Sequence, residues 1–202
     1  MSKILHENKI VIFMTDIRNH IGTINRSIKL GDLKRSKVVG TITNNTNTFK
    51  HFKYTDEVPV VYSKWDKKKE TRGDYDKMLV DKVNELGGDT IVLTGWKHIF
   101  TPTFYNSFRD VINIHPALPN SYVGLNCIKK SLDDYKIDKT KDKTGVMIHK
   151  VIEELDRGEV LDYIQIPIFE YDDIDDLTDR FREYERLPLV RALQKLERED
   201  IE

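Results

Sequence analysis

Two polar side chains share one short apolar segment, residues 111–115. Side chains of a strand alternate between its faces, so Asn113 and His115 lie on one face and the isoleucines beside them on the other. Pro116 cannot continue the ladder, so the pair lies at the carboxyl end of its strand, where open α/β sheets form ligand crevices. An amide and an imidazole there could stabilise an oxyanion and transfer a proton, or could merely satisfy loop backbone.

An acidic turn is the second group of ionisable residues, and it contains Glu153, Glu154 and Asp156. Most acidic turns are only solvated surface. A carboxylate that folds back towards His115 would favour the imidazolium by up to about 4 kcal/mol for a pair roughly 4 Å apart at an effective dielectric near 20. We therefore hypothesise that one carboxylate of this turn pairs with His115 and raises its pKa, with a solvated turn as the alternative.

The elements that position these groups follow an alternating pattern of short β-branched apolar runs and segments of helical spacing. This pattern predicts βα units and a largely parallel sheet, that is, an α/β fold. Strands are predicted near residues 9–14, 38–42, 58–62, 90–94, 111–115, 144–151 and 160–168. Helices are predicted near 21–28, 75–86 and 125–135, directly after the aromatic loop 95–102, and from 175 onwards. Pro188 should kink or break the last helix, and the charged segment 135–143 is predicted to be a solvated loop.

Composition favours a small-molecule partner within one soluble domain, residues 1–202. Lys and Arg number 33 against 34 Asp and Glu, so no overall field would attract nucleic acid or an anionic membrane. The single Cys127 cannot form an internal disulfide, and residues 1–12 are too polar for a signal peptide or membrane span, which indicates a cytoplasmic location. One cysteine and no HExxH motif argue against a zinc site, so no metal is expected.

Two long motifs carry a family resemblance. VINIHPALP at residues 111–119 resembles the NIHPSLLP or NLHPALPG segment of glycinamide ribonucleotide transformylases. TGVMIH at 144–149, followed by VIEELDRG at 151–158, resembles their TGxxVHxVxxELDxG segment. Gly124 matches a turn of the family, and residues 94–102 resemble its AGFMRILSP loop. The resemblance to the phosphoribosylglycinamide formyltransferase family, in the formyltransferase superfamily, runs from about residue 70 to 190.

The resemblance implies a Rossmann-like formyltransferase fold, with a mostly parallel twisted sheet of about seven strands flanked by helices. It implies 10-formyltetrahydrofolate as the co-substrate and Asn113, His115 and Asp156 as the catalytic groups. Asn113 and protonated His115 would stabilise the oxyanion, and Asp156 would hold His115 in its charged form. The expected halves are an acceptor-binding half, 1–110, and a catalytic, folate-binding half, 111–202.

For the folate, the resemblance implies contacts from the aromatic loop and from the backbone of the acidic turn. The residues concerned are Trp96, Lys97, His98, Ile99, Phe100, Glu153, Glu154 and Leu155. Apolar walls with backbone hydrogen bonds suit a flat pterin. Core packing is the alternative for Trp96, Ile99 and Phe100. His98 stands where the family has an arginine, which puts a contact to the glutamate tail of the folate in doubt.

Acceptor recognition is the point at which the sequence departs most from the family. Members usually follow the first strand with a glycine-rich loop whose amides bind the ribotide phosphate, but this chain has TDIRNH at residues 15–20. The acceptor residues implied by the resemblance are Arg18, Asn19, Arg72, Pro116 and Glu185. Solvated helix charges are the alternative for Arg72 and Glu185, and Asp16 would repel a phosphate if it pointed inward.

The resulting prediction is transfer of a formyl group to the amine of glycinamide ribonucleotide by a monomer or homodimer without nucleic-acid or membrane partners. An N-formyltransferase for a nucleotide-linked amino sugar is the first alternative, favoured by the altered phosphate loop. A non-catalytic binding module and a hydrolase that releases formate are the others. The sequence leaves open which acceptor is used, the oligomeric state, and whether the loop 135–143 closes over the site.

Overall fold

The structure is a computed structural model that describes residues 6–53 and 58–199. Residues 1–5, part of the segment judged too polar for a signal peptide, lie outside the described residues. The strands are β1 (Asn8–Met14), β2 (Ser36–Thr43), β3 (Val60–Tyr62), β4 (Thr90–Thr94), β5 (Asp110–His115), β6 (Lys143–Lys150) and β7 (Val160–Pro167). The helices are α1 (His20–Leu30), α2 (Thr46–Phe52), α3 (Arg72–Glu85), α4 (Pro102–Tyr105), α5 (Cys127–Ile137), α6 (Ile174–Tyr184) and α7 (Arg186–Glu199).

The strands form a seven-stranded sheet in the order β3-β2-β1-β4-β5-β6-β7. β1 pairs in parallel with β2 and with β4, and β2 with β3, whereas β6 and β7 are antiparallel. The prediction of an α/β fold with a mostly parallel sheet is therefore confirmed. The chain divides into two compact units, the first comprising Met1–Asn113 and Leu193–Glu202 and the second Ile114–Ala192.

The first unit is built around β1, whose residues from Ile10 to Met14 are completely buried. A parallel strand covered on both faces has a continuous apolar run rather than an alternating one. Helix α1 ends at Gly31, which adopts the left-handed conformation with φ 81° and needs no side chain there. Helix α3 begins with a reciprocal capping box between Thr71 and Asp74, which satisfies the first free amide groups of the helix.

Helix α2 is the element that the sequence pattern did not predict. Its composition is polar, and only Thr48 and Phe52 are buried, so it lacks the apolar spacing by which amphipathic helices are recognised. The helix begins because the side chain of Asn45 accepts hydrogen bonds from the amides of Asn47 and Thr48. A capping interaction thus initiates this short helix, and its apolar face contributes little.

In the second unit, the antiparallel pair β6–β7 flanks the acidic turn, as expected for two strands joined there. Helix α5 extends to Ile137 and β6 begins at Lys143, so the charged loop is shorter than predicted. The predicted break at Pro188 is confirmed, because α6 ends at Tyr184 and α7 begins at Arg186. Proline is tolerated in the first turn of a helix, where its missing N–H would have no intrahelical partner. None of the described helices has the length and apolar character needed to cross a membrane.

Candidate active site

The acidic turn of the second unit places one carboxylate between two imidazoles. Asp156 Oδ2 lies 3.5 Å from His115 Nδ1, and Asp156 Oδ1 lies 3.5 Å from His149 Nε2. The side chains of all three are nearly inaccessible, with exposures of 3% to 5%. The alternative that the turn is only solvated surface is therefore excluded for Asp156. It holds for Glu153 and Glu154, whose side chains are exposed.

Backbone geometry holds the Asp156 carboxylate in this position. The residue has φ 55°, a left-handed conformation that aspartate tolerates better than most residues, and Oδ2 accepts a hydrogen bond of 2.8 Å from Gly124 N–H. Two residues later, a Cβ at Gly158 would lie 1.8 Å from the carbonyl oxygen of Lys150. The turn therefore needs both an aspartate that adopts positive φ and a glycine at residue 158.

We expect Gly158→Ala to destabilise the protein by about 2 to 3 kcal/mol, because the new methyl group overlaps rigid backbone. Chemical denaturation would measure this loss. Gly73→Ala is the matched control, since its Cβ would meet only Thr71 Oγ1 at 3.9 Å. A stability of the Gly158→Ala protein equal to that of the control would contradict the tight turn.

His115, the last residue of β5, is held on two sides. Its Nε2 lies 2.9 Å from the carbonyl oxygen of Tyr122, to which it donates, and 3.7 Å from Cys127 Sγ. Burial lowers the pKa of His115, and this effect exceeds the raising effects of the Tyr122 carbonyl and of Asp156, while His149 and Lys130 lower it further. The expectation that Asp156 raises the pKa of His115 above its ordinary value is therefore wrong in net direction, because desolvation outweighs the charge pair.

The two effects on His115 can be separated by titration. In the wild-type protein we expect a His115 pKa below its ordinary value of 6.5, and a still lower pKa in Asp156→Asn, because removing the carboxylate leaves burial unopposed. NMR titration of the imidazole Cε1–H signals would measure both. An unchanged or higher pKa in the variant would show that the Asp156 charge does not act on His115.

Asn113 belongs to the same strand as His115 and precedes it by two residues, so their side chains leave β5 on the same side. Its side chain is half-buried. The predicted strand that carries both residues is observed as β5. The oxyanion role of Asn113 stays a prediction.

Two participants at this site were not singled out by sequence reasoning, His149 and Tyr122, and Gly124 was noted only as a turn that the family shares. His149 donates from Nδ1 to the carbonyl oxygen of Lys150 at 2.9 Å and so presents Nε2 to Asp156. Its position at the end of β6, directly before the acidic turn, was a usable signal. Gly124 and Tyr122 act through backbone groups, which no side-chain pattern reveals.

The aromatic loop that follows β4 packs mainly into the core of the first unit. Trp96 and Phe100 are 8% and 7% exposed and meet Phe13 edge-on, at ring-centroid distances of 5.1 and 5.9 Å. Core packing, the alternative left open above, thus describes both side chains, although Trp96 Nε1 is buried without a partner among the described residues. Ile99 is 53% exposed, and Lys97 is also exposed.

A buried carboxylate from α3 anchors this loop. Asp76 accepts hydrogen bonds from His98 Nε2 at 2.6 Å, from Thr101 N–H at 2.6 Å and from the Thr101 hydroxyl at 2.7 Å. Although burial opposes ionisation, these hydrogen bonds and the His98 ring lower the pKa of Asp76. His98 Nε2 is therefore engaged with a carboxylate of α3.

The remaining predicted site residues lie in contrasting environments. Leu155 is 45% exposed, Asn19 is exposed, and Arg18 and Pro116 are half-buried. Arg72 is the exposed first residue of α3. Glu185 is only 7% exposed and directly follows α6, so the alternative of a solvated charge is wrong for this residue.

Within residues 6–53 and 58–199, no three His, Cys, Asp or Glu side chains are grouped so that they could hold a metal ion. The exposed Ile99 in the loop and the exposed Leu155 in the acidic turn each offer an apolar contact of the kind that a flat heterocycle requires. Each segment, taken by itself, thus offers one apolar side chain for contact with a folate.

Comparison with known proteins gives a consistent family assignment. The formyl transferase family profile matches residues 8–193. A phosphoribosylglycinamide formyltransferase of Dictyostelium discoideum is 40% identical over 67% of this chain and 68% of its own, and one of Schizosaccharomyces pombe is 30% identical over 62% of each chain. The crystal structure of phosphoribosylglycinamide formyltransferase from Bacillus halodurans is similar with a TM-score of 0.80 and 26% identity, covering 94% of this chain and 95% of that one. The chain therefore belongs to the formyl transferase family and is a transferase.

Proposed function

We propose that the chain transfers the formyl group of 10-formyltetrahydrofolate to the amine of glycinamide ribonucleotide, a step of purine biosynthesis. The observation that carries the proposal is the buried Asp156 carboxylate between His115 and His149, in a member of the formyl transferase family. The relatives from D. discoideum and S. pombe carry the name of this activity. A cytoplasmic location and a monomeric or homodimeric state belong to the same proposal.

In this proposal, Asn113 and His115 donate hydrogen bonds to the oxygen on which negative charge develops when the acceptor amine attacks the formyl carbon. The folate supplies the formyl group: the bond between the formyl carbon and the folate nitrogen breaks after the amine has attacked, and the proton that the amine loses goes to the released folate nitrogen. His115 is neutral before the reaction because burial lowers its pKa, and it takes up a proton as the reaction proceeds. Asp156 then stabilises the imidazolium, at the stage when that stabilisation lowers the barrier.

His115 Nε2 donates to the Tyr122 carbonyl in the unliganded protein. For this nitrogen to donate to a reacting oxygen, the substrate oxygen must replace the Tyr122 carbonyl. Tyr122 is held through its hydroxyl, which donates to Asp134 Oδ2 at 2.8 Å. We infer that binding of the substrates releases the carbonyl contact and that the segment 116–126 shifts for this purpose.

Substrate contacts complete the proposal. The folate would use Lys97, Ile99 and Leu155 together with the backbone near Trp96, His98, Phe100, Glu153 and Glu154. The acceptor would use Arg18, Asn19, Arg72, Pro116 and Glu185. We likewise propose that residues 1–110 bind the acceptor and that residues 111–202 carry out catalysis and bind the folate.

A turnover assay tests the function directly. The purified protein with 10-formyltetrahydrofolate would be offered glycinamide ribonucleotide, several nucleotide-linked amino sugars, and no acceptor. We expect formylation of the ribonucleotide alone, with formate release below the transfer rate. Formate release at the full rate without an acceptor would identify a hydrolase, and an absence of all turnover would favour a binding module. No observation made on the structure favours the amino sugars.

A further inference from the structure

The last strand in the order of the sheet, β7, has one outer edge. β7 pairs with β6 on one side and is terminal in the seven-stranded sheet. A terminal strand presents N–H and C=O groups on its outer side, and these can pair with a strand of a second molecule. The residues of β7, VLDYIQIP, include one charged side chain, that of Asp162. Composition alone therefore gives this edge little protection against such pairing.

The register with β6 indicates which backbone groups of β7 point outward. It runs without a shift through the last six residues of β7, so residues two apart in this stretch have the same orientation. Pro167 has no N–H to donate, whereas the N–H of the following residue, Ile168, donates to the carbonyl oxygen of Asp142 at 2.8 Å. The N–H and C=O groups of Tyr163 and Gln165 therefore lie on the outer edge.

Two ion pairs cover this outer edge, and we call them the edge ion pairs, Asp162–Arg191 and Asp172–Arg180. In the first, Arg191 Nε lies 2.5 Å from Asp162 Oδ2. The Tyr163 N–H donates to Asp162 Oδ1 at 2.6 Å, and Arg191 Nη2 donates to the Tyr163 carbonyl oxygen at 3.4 Å. Both outward backbone groups of Tyr163 are thus engaged by side chains of the same chain.

The second edge ion pair covers the end of the strand. Arg180 Nη1 donates to the Pro167 carbonyl oxygen at 3.0 Å, and the guanidinium donates two further hydrogen bonds, of 2.5 and 2.8 Å, to the carboxylate of Asp172. These hydrogen bonds lower the pKa of Asp172 and raise that of Arg180, so both groups are charged at neutral pH. The outward groups on both sides of Gln165 are therefore covered.

We propose that the edge ion pairs prevent a second copy of this chain from adding its own β7 to the sheet. Two copies related by a two-fold axis would pair β7 antiparallel with β7, through the outward groups of Tyr163 and Gln165. Asp162 and Arg191 oppose this pairing, since each occupies a backbone group that the pairing requires. The proposal does not depend on the proposed function.

The Asp162–Arg191 pair is better suited to this role than to stabilising the fold. The Arg191 side chain is 44% exposed, and ion pairs at exposed positions contribute about 1 kcal/mol or less to the free energy of unfolding. Removing the pair should therefore leave the protein folded and change its self-association.

The test is sedimentation velocity of the full chain over a range of protein concentrations, without substrates. We expect Asp162→Ala combined with Arg191→Ala to form a species of about twice the wild-type mass, as a two-fold pair would have. Asp179→Ala combined with Arg182→Ala is the matched control, because it removes an exposed ion pair from α6 and leaves β7 unchanged. The control should have the wild-type mass, and thermal unfolding would establish that both variants are folded.

Gln165→Pro identifies the surface through which the copies associate. A proline at this outward position removes an N–H from the edge and leaves the hydrogen bonds to β6 intact. Added to the double alanine variant of β7 and α7, it should restore the wild-type mass. In the wild-type chain it should leave the mass unchanged.

A double alanine variant with the wild-type mass at every concentration would overturn the proposal. So would equal association of the control, or association that Gln165→Pro does not reverse. A lower mass after Gln165→Pro in the wild-type chain would overturn it as well, because β7 would then already pair between copies.

Discussion

Replacing Asp156 by asparagine should lower kcat by about a hundredfold to ten-thousandfold, the range that acid–base groups contribute. Asparagine keeps the size of the side chain and can still accept the Gly124 N–H bond, so the turn should retain its conformation. What is lost is the negative charge 3.5 Å from both His115 and His149. Steady-state formyl transfer with the ribonucleotide measures the effect, and calorimetric folate binding should remain close to that of the wild type.

Glu154→Gln is the matched control for this variant, because Glu154 is an exposed carboxylate of the same turn. It removes the same charge from the surface and should leave kcat within about twofold, since exposed charges act weakly through solvent. Near wild-type turnover of Asp156→Asn would remove the proposed role of the carboxylate. Equal losses in the two variants would attribute the effect to the net charge of the turn.

The catalytic candidates were predictable because their geometry is local. Period-two spacing puts Asn113 and His115 on one strand face, and Pro116 marks the strand end, so three neighbouring residues contain the information. Asp156 lies 41 positions after His115 and could be paired with it only as a hypothesis or through the family motif. The direction in which the pKa of His115 shifts could not be predicted from the sequence, because the burial of its ring depends on packing by α5 and the segment 116–126.

Long-range polar pairs account for most of what was missed. Asp76 appears in the sequence as one more charge on a helix, yet it is completely buried and bonded to residues 22 and 25 positions later. The bond between His98 and α3 could therefore not be foreseen from the sequence.

Replacing Asp76 by alanine should destabilise the protein by about 3 to 5 kcal/mol, the usual cost of removing one partner from a buried charged network. The substitution leaves the Thr101 amide and hydroxyl and the His98 ring without their acceptor. The loop 95–101 also loses its anchor, so the KM for the folate should rise. Urea denaturation and folate kinetics measure the two effects.

The pH dependence of stability separates this network from ordinary packing. The pKa of Asp76 is lowered below 3.8 in the folded state, so the unfolded chain binds the proton more readily in the interval between the two values. The carboxylate therefore stabilises the fold above about pH 3.8, and this stabilisation disappears as the pH falls through the folded pKa. When the pH is lowered from 5 to 3, the free energy of unfolding of Asp76→Ala should fall less than that of the wild type. Asp81→Ala is the control, because Asp81 is exposed on the same helix, and its free energy of unfolding should change with pH as in the wild type. A wild-type pH profile in Asp76→Ala would mean that the buried carboxylate is not ionised in the folded protein.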